Sequence, residues 1–204
     1  MRKIIYLMLL IAAASCASVS NYPIDLSYQP KGHEEAGKKG KIAVALFNDD
    51  RAESYKRFIG IKQSDKIRFI SLDGEPSSAV SNAFITYLEH KGYTVAKVNK
   101  VWDGTVKSLN PEWGDMVVGG DIEKFDITVT GEFPKVKYIC SVKLYVTMAN
   151  PRTKAILHQE RLEASSTYES FNFLRNEAEE EINKALAEVV EKSLSETGKY
   201  FPVK

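Results

Sequence analysis

The chain reads as an α+β protein, a mixed, largely antiparallel sheet with two helices packed on one face. Three observations predict this. Strands, a helix, more strands, a long hairpin and a second helix follow one another along the sequence. Both helical segments are amphipathic, so each has one apolar stripe to bury. And Tyr138, Cys140, Val142, Leu144, Val146 and Met148 alternate with Ile139, Ser141, Lys143, Tyr145 and Thr147, the period of a half-buried strand. Laying two helices on one face of a sheet is the simplest layered arrangement that buries all of these surfaces.

The first segment is not part of that domain. Met1 is followed by two cations, Arg2 and Lys3, and then by an uncharged apolar run over residues 4–14. That length suits the hydrophobic region of an export signal and is too short to span a bilayer. Ala13-Ala14-Ser15-Cys16 comes next. Small residues before a cysteine let an extended chain enter a signal peptidase, and the stretch resembles the lipobox of bacterial lipoproteins, with Ala13 standing where leucine is usual. The resemblance implies a signal peptide over residues 1–15, cleavage between Ser15 and Cys16, and acyl chains on Cys16. The competing reading is an ordinary secretory signal with a cysteine near its cleavage site. Two or three acyl chains give stable attachment where one is marginal, at about 0.8 kcal/mol per buried methylene. Ala17 follows, where such lipoproteins carry aspartate if they are retained in the inner membrane; its presence points to the outer membrane.

Residues 16–40 contain Ser, Pro, Gly, Lys and Glu with little periodicity and read as a lipidated, flexible tether. A short extended piece is expected at 24–28. The single globular domain is then 41–204.

Within it, residues 41–47 form a nearly continuous apolar strand, ended by the turn formers Asn48, Asp49 and Asp50 and by Arg51. A second strand covers 66–72. Pro76 opens a helix, where its missing N–H costs nothing. Val80, Ala83, Phe84, Tyr87 and Leu88 supply its buried face, and Gly92 stands at the left-handed position that ends it. Residues 93–98 are a strand, and 102–115 a long loop with two tryptophans. Residues 116–129 are strand-rich, with Gly119 and Gly120 marking a bulge or a close backbone approach. Residues 136–148 and 154–164 make an antiparallel hairpin around Asn150-Pro151-Arg152-Thr153. If Asn150 pairs with Thr153, His158 stands opposite Tyr145 and Cys140 opposite Glu163. Residues 173–194 close the chain as an amphipathic helix, with Leu174, Ala178, Ile182, Leu186, Val189 and Val190 on one side.

Composition narrows the function classes. Removal of the signal leaves about 190 residues, enough for one domain with a real core. A net charge of +1 excludes a broad basic surface for nucleic acid. There are two cysteines; if Cys16 carries lipid, Cys140 has no partner, and its place on the apolar face of a strand makes it a core thiol. His33, His90 and His158 show no ligand spacing, so neither zinc nor any other cofactor is expected.

Two groups stand out as contact candidates. Asp49, Asp50 and Arg51 lie at the end of a strand, where α/β sheets often bind ligands; a solvated turn explains them equally, and better in the absence of a further carboxylate cluster. Trp102 and Trp113 could present an aromatic recognition loop to a partner, or cover the edge of the core. Gly119-Gly120-Asp121-Ile122-Glu123-Lys124-Phe125 is similar to a nucleotide-cyclase signature, but Ile122 displaces the glutamate.

Several of these segments together resemble the YajG-like family of bacterial lipoproteins and its relatives among envelope transport auxiliary lipoproteins. The segments are residues 24–30, the strand end at 48–51, Ile59-Gly60, residues 87–95 and residues 117–125. The resemblance spans most of the mature chain and implies an outer-membrane lipoprotein without catalytic residues to carry over; only Cys16 transfers. The expected function is a non-enzymatic binding or assembly module at the periplasmic face of the outer membrane, with the membrane and an envelope protein as partners. The alternatives are an accessory lipoprotein of a transport or secretion system, carrying lipid between helix and sheet, and a periplasmic hydrolase.

Overall fold

A computed structural model describes residues 20–32, 39–52, 56, 58–72, 74–195 and 199. Ser15, Cys16 and the signal peptide expected over residues 1–15 therefore lie outside the described residues, as does His33. Among the described residues, nine strands and two α-helices follow in the order β1 (Asn21–Ile24), β2 (Lys41–Leu46), β3 (Asn48–Asp49), β4 (Phe58–Lys62), β5 (Ile67–Ser71), α1 (Pro76–His90), β6 (Thr94–Val101), β7 (Met116–Glu132), β8 (Lys135–Asn150), β9 (Ala155–Ser170) and α2 (Arg175–Leu194).

The sheet is mixed and largely antiparallel, as the segment order predicts. Its spine is the ribbon β7–β8–β9, antiparallel throughout. The other edge of β7 carries two smaller groups, one at each end. Near its start β7 pairs in parallel with β2, which pairs in parallel with β6. Near its end it pairs in parallel with β4, which leads through antiparallel β5 to parallel β1.

Both helices cover one face. Ile42, Val44, Phe47, Val80, Phe84, Leu88, Val118, Phe125, Leu144, Ile182, Leu186 and Val190 belong to a single buried cluster. Phe47 and Phe84 stack with centroids 4.8 Å apart. Ser81 on α1 accepts the Phe47 N–H at 3.0 Å and donates to the Ser77 carbonyl at 2.8 Å, which fixes the helix to the end of β2. At the far end of α1 the Gly92 N–H reaches the Glu89 carbonyl and the Tyr93 N–H reaches the Leu88 carbonyl. Gly92 has φ +80°, so the expected left-handed stop is present. Among the described residues no helix is long and apolar enough to cross a membrane.

Among the described residues, the opposite face is covered at its β2–β6 end. Ala43, Ala45, Val117 and Ala149 form a second small core there with Trp102 and Leu109 from the 102–115 loop. A Cβ at Gly119 would stand 3.2 Å from the Trp102 ring, so the missing side chain is what lets the indole lie on the sheet.

Three expectations need correction. The flexible tether over residues 16–40 is folded structure at 20–32: Asn21–Ile24 is an edge strand, and Ile24, Leu26 and Tyr28 are buried. The Asp25 and Ser27 N–H groups donate to Glu179 and Asn183 of α2, so burial and long-range hydrogen bonds both hold the segment. The domain boundary near residue 41 therefore moves to the start of β1. The hairpin register is the second correction. Asn150 pairs with Ala155, Tyr145 with Arg161, Met148 with His158 and Cys140 with Ser166. The turn is longer than expected because the Asn150 carboxamide accepts the N–H groups of Arg152 and Thr153, and Lys154 then takes φ +51°. The third is the turn expected at 48–51, where Asn48 and Asp49 instead form β3 against Asp121 and Ile122 of β7; β4 is an element that no periodic signal marks.

Candidate functional site

Asp49 ends β3 with its side chain buried, and Arg51 turns back onto it. Arg51 Nη2 lies 2.7 Å from Asp49 Oδ2 and Nε lies 2.8 Å from Oδ1, a bidentate pair between side chains only 8% and 4% exposed. The remaining guanidinium hydrogens are also used. Nη1 donates to the Phe58 carbonyl at 2.9 Å and the Phe125 carbonyl at 3.0 Å, and Nη2 to the Lys56 carbonyl at 3.4 Å. A planar fork with five donors suits this task, and lysine does not replace it. The pair is a clasp joining β3, the start of β4 and β7. Neither charge is presented to a ligand; Asp50 is the exposed member of the trio.

The outer side of the clasp borders an open groove of about 740 Å³ on the sheet face away from the helices. Asp50, Arg51, Phe58, Ile61, Arg68, Glu123, Lys124 and Asp126 line it. Its wall on β7 is shaped by a bulge. Ile122 pairs with Leu144 and Lys124 with Lys143, so Glu123 is the extra residue. Such an insertion bends the strand and re-aims neighbouring side chains. Glu123 accepts from Arg161 at 2.7 Å and from Lys143 at 3.0 Å, and these two cations hold its carboxyl below the usual glutamate value. Arg161 stacks 4.6 Å above the Tyr145 ring, and Arg68 stacks 4.7 Å above Phe58. The Thr128 hydroxyl donates to Asp126 at 2.9 Å. The result is a concavity of mixed charge, with apolar surface at Phe58 and Ile61 and cations held in fixed directions. It can take a polar partner of either sign by hydrogen bonding.

Close backbone approach sets the same region. A Cβ at Gly60 would stand 1.9 Å from the Ile127 carbonyl oxygen, and one at Gly120 would stand 1.9 Å from that of Tyr145. Glycine at these two positions lets β4 and β8 lie against β7.

The two tryptophans are elsewhere. Trp102 is 4% exposed, its indole N–H donating to the Thr105 carbonyl at 3.0 Å. Trp113 is half-buried against the same second core. The geometry supports their reading as cover for the sheet, and Trp102 has no free face for a partner.

Cys140 is fully buried, and burial pushes its thiol up to about 12. His158 sits opposite Met148 on the neighbouring strand and contacts Glu160 at 3.2 Å, so no thiol–imidazole pair is formed. Among the described residues no group of three or more His, Cys, Asp or Glu side chains is placed to hold a metal ion.

The sequence thus marks Asp50 and Arg51 of the groove and misses Glu123, Arg68, Lys124, Asp126 and Phe58. One signal was present: Ile122 and Phe125 are three apart in a strand and both apolar, which a regular alternation forbids and a bulge permits.

No family model and no curated protein matches the chain. Solved structures do. Protein XCC0632 from Xanthomonas campestris, of family model DUF330, is 10% identical with a TM-score of 0.56, covering 90% of this chain and 95% of its own. The PelC dodecamer from Paraburkholderia phytofirmans is 12% identical, at 78% and 95% coverage and a TM-score of 0.38. Lipoprotein GNA1162 from Neisseria meningitidis is 13% identical, at 78% and 98% coverage and a TM-score of 0.35. The structural neighbours of this chain thus include a bacterial lipoprotein, and the first of the three establishes a shared fold.

Proposed function

We propose that the chain is a lipid-anchored protein of the cell envelope, attached through Cys16 at the periplasmic face of the outer membrane, and that it is a non-enzymatic binding or assembly module of the YajG-like kind. The observation that carries this reading is the mixed-charge groove beside Arg51. Among the described residues it is a concave part of the sheet face away from the helices, and its walls are stiffened by the buried clasp and the β7 bulge. Rigid walls and fixed cations favour recognition, because less ordering entropy is lost on binding. Of the groups weighed for a hydrolase, Asp49 is paired to Arg51 and burial keeps the Cys140 thiol protonated. A lipid carried between helix and sheet needs apolar space there, and Phe47, Phe69, Phe84, Phe125 and Tyr138 fill that interface.

The test is a photo-crosslinking amino acid at Ile61 or Lys124 in the native envelope, with one at Lys107 as a control. A discrete partner captured from the groove positions and not from Lys107 supports the reading. Recovery of uncrosslinked monomer from all three counts against it. For the anchor, Cys16→Ser should abolish palmitate labelling, and unchanged labelling refutes the assignment.

A further inference from the structure

The strand register shows which end of the domain the anchor leaves from. One row crosses the sheet through Asn21, Arg68, Ile61, Thr128, Ile139 and Thr167. Beyond it on one side lie the β4–β5 turn and the β7–β8 turn, together with the end of β9. β1 runs away from this side, so Ser20 and Asn21, the first described residues, lie on it.

The same end carries exposed apolar side chains. Phe133 in the β7–β8 turn is 77% exposed, Phe171 after β9 is 75% exposed, and Leu174 before α2 is 48% exposed. Tyr138 holds the last of these in place: its hydroxyl accepts the Leu174 N–H at 2.7 Å. Large aromatic groups left in water at one end of a domain mark a contact surface. The charges around them are mixed: Lys66 in the β4–β5 turn, Glu132 next to Phe133, and Lys135 paired to Glu169 at 3.0 Å.

Chain length decides what covers this end. From Asn21 back to Cys16 is five residues, which span at most about 18 Å at roughly 3.6 Å each. The β7–β8 ribbon extends from Thr128 to Glu132 beyond the row, roughly 13 Å at about 3.3 Å per residue, before the Phe133 turn adds to it. With β1 part of the sheet, no long tether separates lipid from domain. A cysteine whose acyl chains lie in the bilayer holds this end at the headgroup layer.

We propose that the end bearing Phe133, Phe171 and Leu174 rests on the membrane surface, with these side chains among the lipid headgroups. This rests on the lipid-anchor reading of Cys16. It orients the domain, pointing the opposite end, with the β8–β9 turn, away from the membrane. Aromatic and aliphatic groups at the interface then add to the acyl anchor and suppress tumbling about it.

The test uses the full lipidated chain with Phe133→Cys or Thr153→Cys labelled with an environment-sensitive fluorophore, in vesicles of phosphatidylethanolamine and phosphatidylglycerol. Cys140 does not compete for label, being buried and protonated. Palmitate incorporation is scored first. With palmitate present, nitroxide lipids should quench the label at 133 roughly threefold more than the label at 153, which sits at the far end. Equal quenching at the two positions overturns the orientation and leaves the anchor standing. A label at 133 that is shielded from aqueous iodide yet not quenched by lipid also overturns it, in favour of a protein contact. Absence of palmitate overturns the anchor reading and the orientation with it.

Discussion

Arg51 closes a bidentate pair on Asp49, two residues earlier, and spends its other hydrogens on the carbonyls of Phe58 and Phe125. A turn that looks ligand-binding is thereby a joint between strands distant in sequence. Removing one partner of a buried pair leaves the other charge desolvated and unpaired, so Arg51→Ala should cost about 3–5 kcal/mol. The midpoint of urea unfolding measures it. Asp49→Leu with Arg51→Met should recover only part of that loss. The double variant removes the buried charges but still leaves the Phe58, Phe125 and Lys56 carbonyls without the donors Arg51 supplied. A loss below about 1 kcal/mol in the single variant, the range of exposed pairs, would show the clasp to be a surface ornament.

The glycines give a sharper contrast. Gly120→Ala places a methyl 1.9 Å from the Tyr145 oxygen, a backbone atom that cannot swing aside without breaking the β7–β8 ladder. The expected loss is above about 4 kcal/mol, visible as failure to accumulate or a large fall in the melting temperature. Gly74 has φ +110°, but a Cβ there meets nothing within 4 Å. Gly74→Ala should therefore cost only backbone strain, about 1–3 kcal/mol. Similar losses for the two variants would mean that close approach is not what fixes Gly120.

What the sequence disclosed follows from how local each signal is. α1 is legible because Pro76 and Gly92 punctuate it, and the β8 alternation is legible because one face is buried and the other wet. β4 is not, since a five-residue strand with a glycine at its centre has little pattern of its own and is held by its neighbours. β1 gave half a signal: Ile24, Leu26 and Tyr28 alternate, but only the docking of α2 turns that into burial. The groove is the least legible part. Arg68 comes from β5 while Glu123 and Asp126 come from β7, and a one-residue bulge sets their meeting. Cys16 is an expectation from local sequence alone, and it lies outside the described residues.

Glu123 predicts an acid limb. Hydrogen bonds from Arg161 and Lys143 lower its carboxyl below its ordinary value of 4.5. A depressed value in the folded state means stability that is fully present above the unfolded value and is lost as pH falls through the folded one. Glu123→Gln should therefore destabilise at pH 7 by about 1 kcal/mol or less, since both cations are partly solvated. As pH falls below the ordinary glutamate value of 4.5, the gap between variant and parent should narrow. Urea midpoints measured from pH 7 down to pH 3 check this, and a gap that widens on acidification would reverse the sign of the argument.

Cys140 predicts the alkaline side. Its thiol is raised from an ordinary 9.0 to about 12 by burial, with the nearby Glu181 and Asp126 charges acting in the same direction. The unfolded chain ionises first, so the stability linked to this group is complete below about pH 9 and declines as pH rises towards the folded value. Cys140→Ala removes that dependence, leaving a shallower loss of stability between pH 9 and pH 11 than the parent shows. It should also cost about 1–2 kcal/mol at neutral pH for the lost sulfur volume. The native thiol should resist a thiol-reactive dye at pH 8 and react at once in denaturant, because the thiolate is the nucleophile and neither the form nor the access is available while the strand stays folded. Rapid labelling of the native chain at Cys140 would place the thiol outside the core and remove the reason for calling it structural.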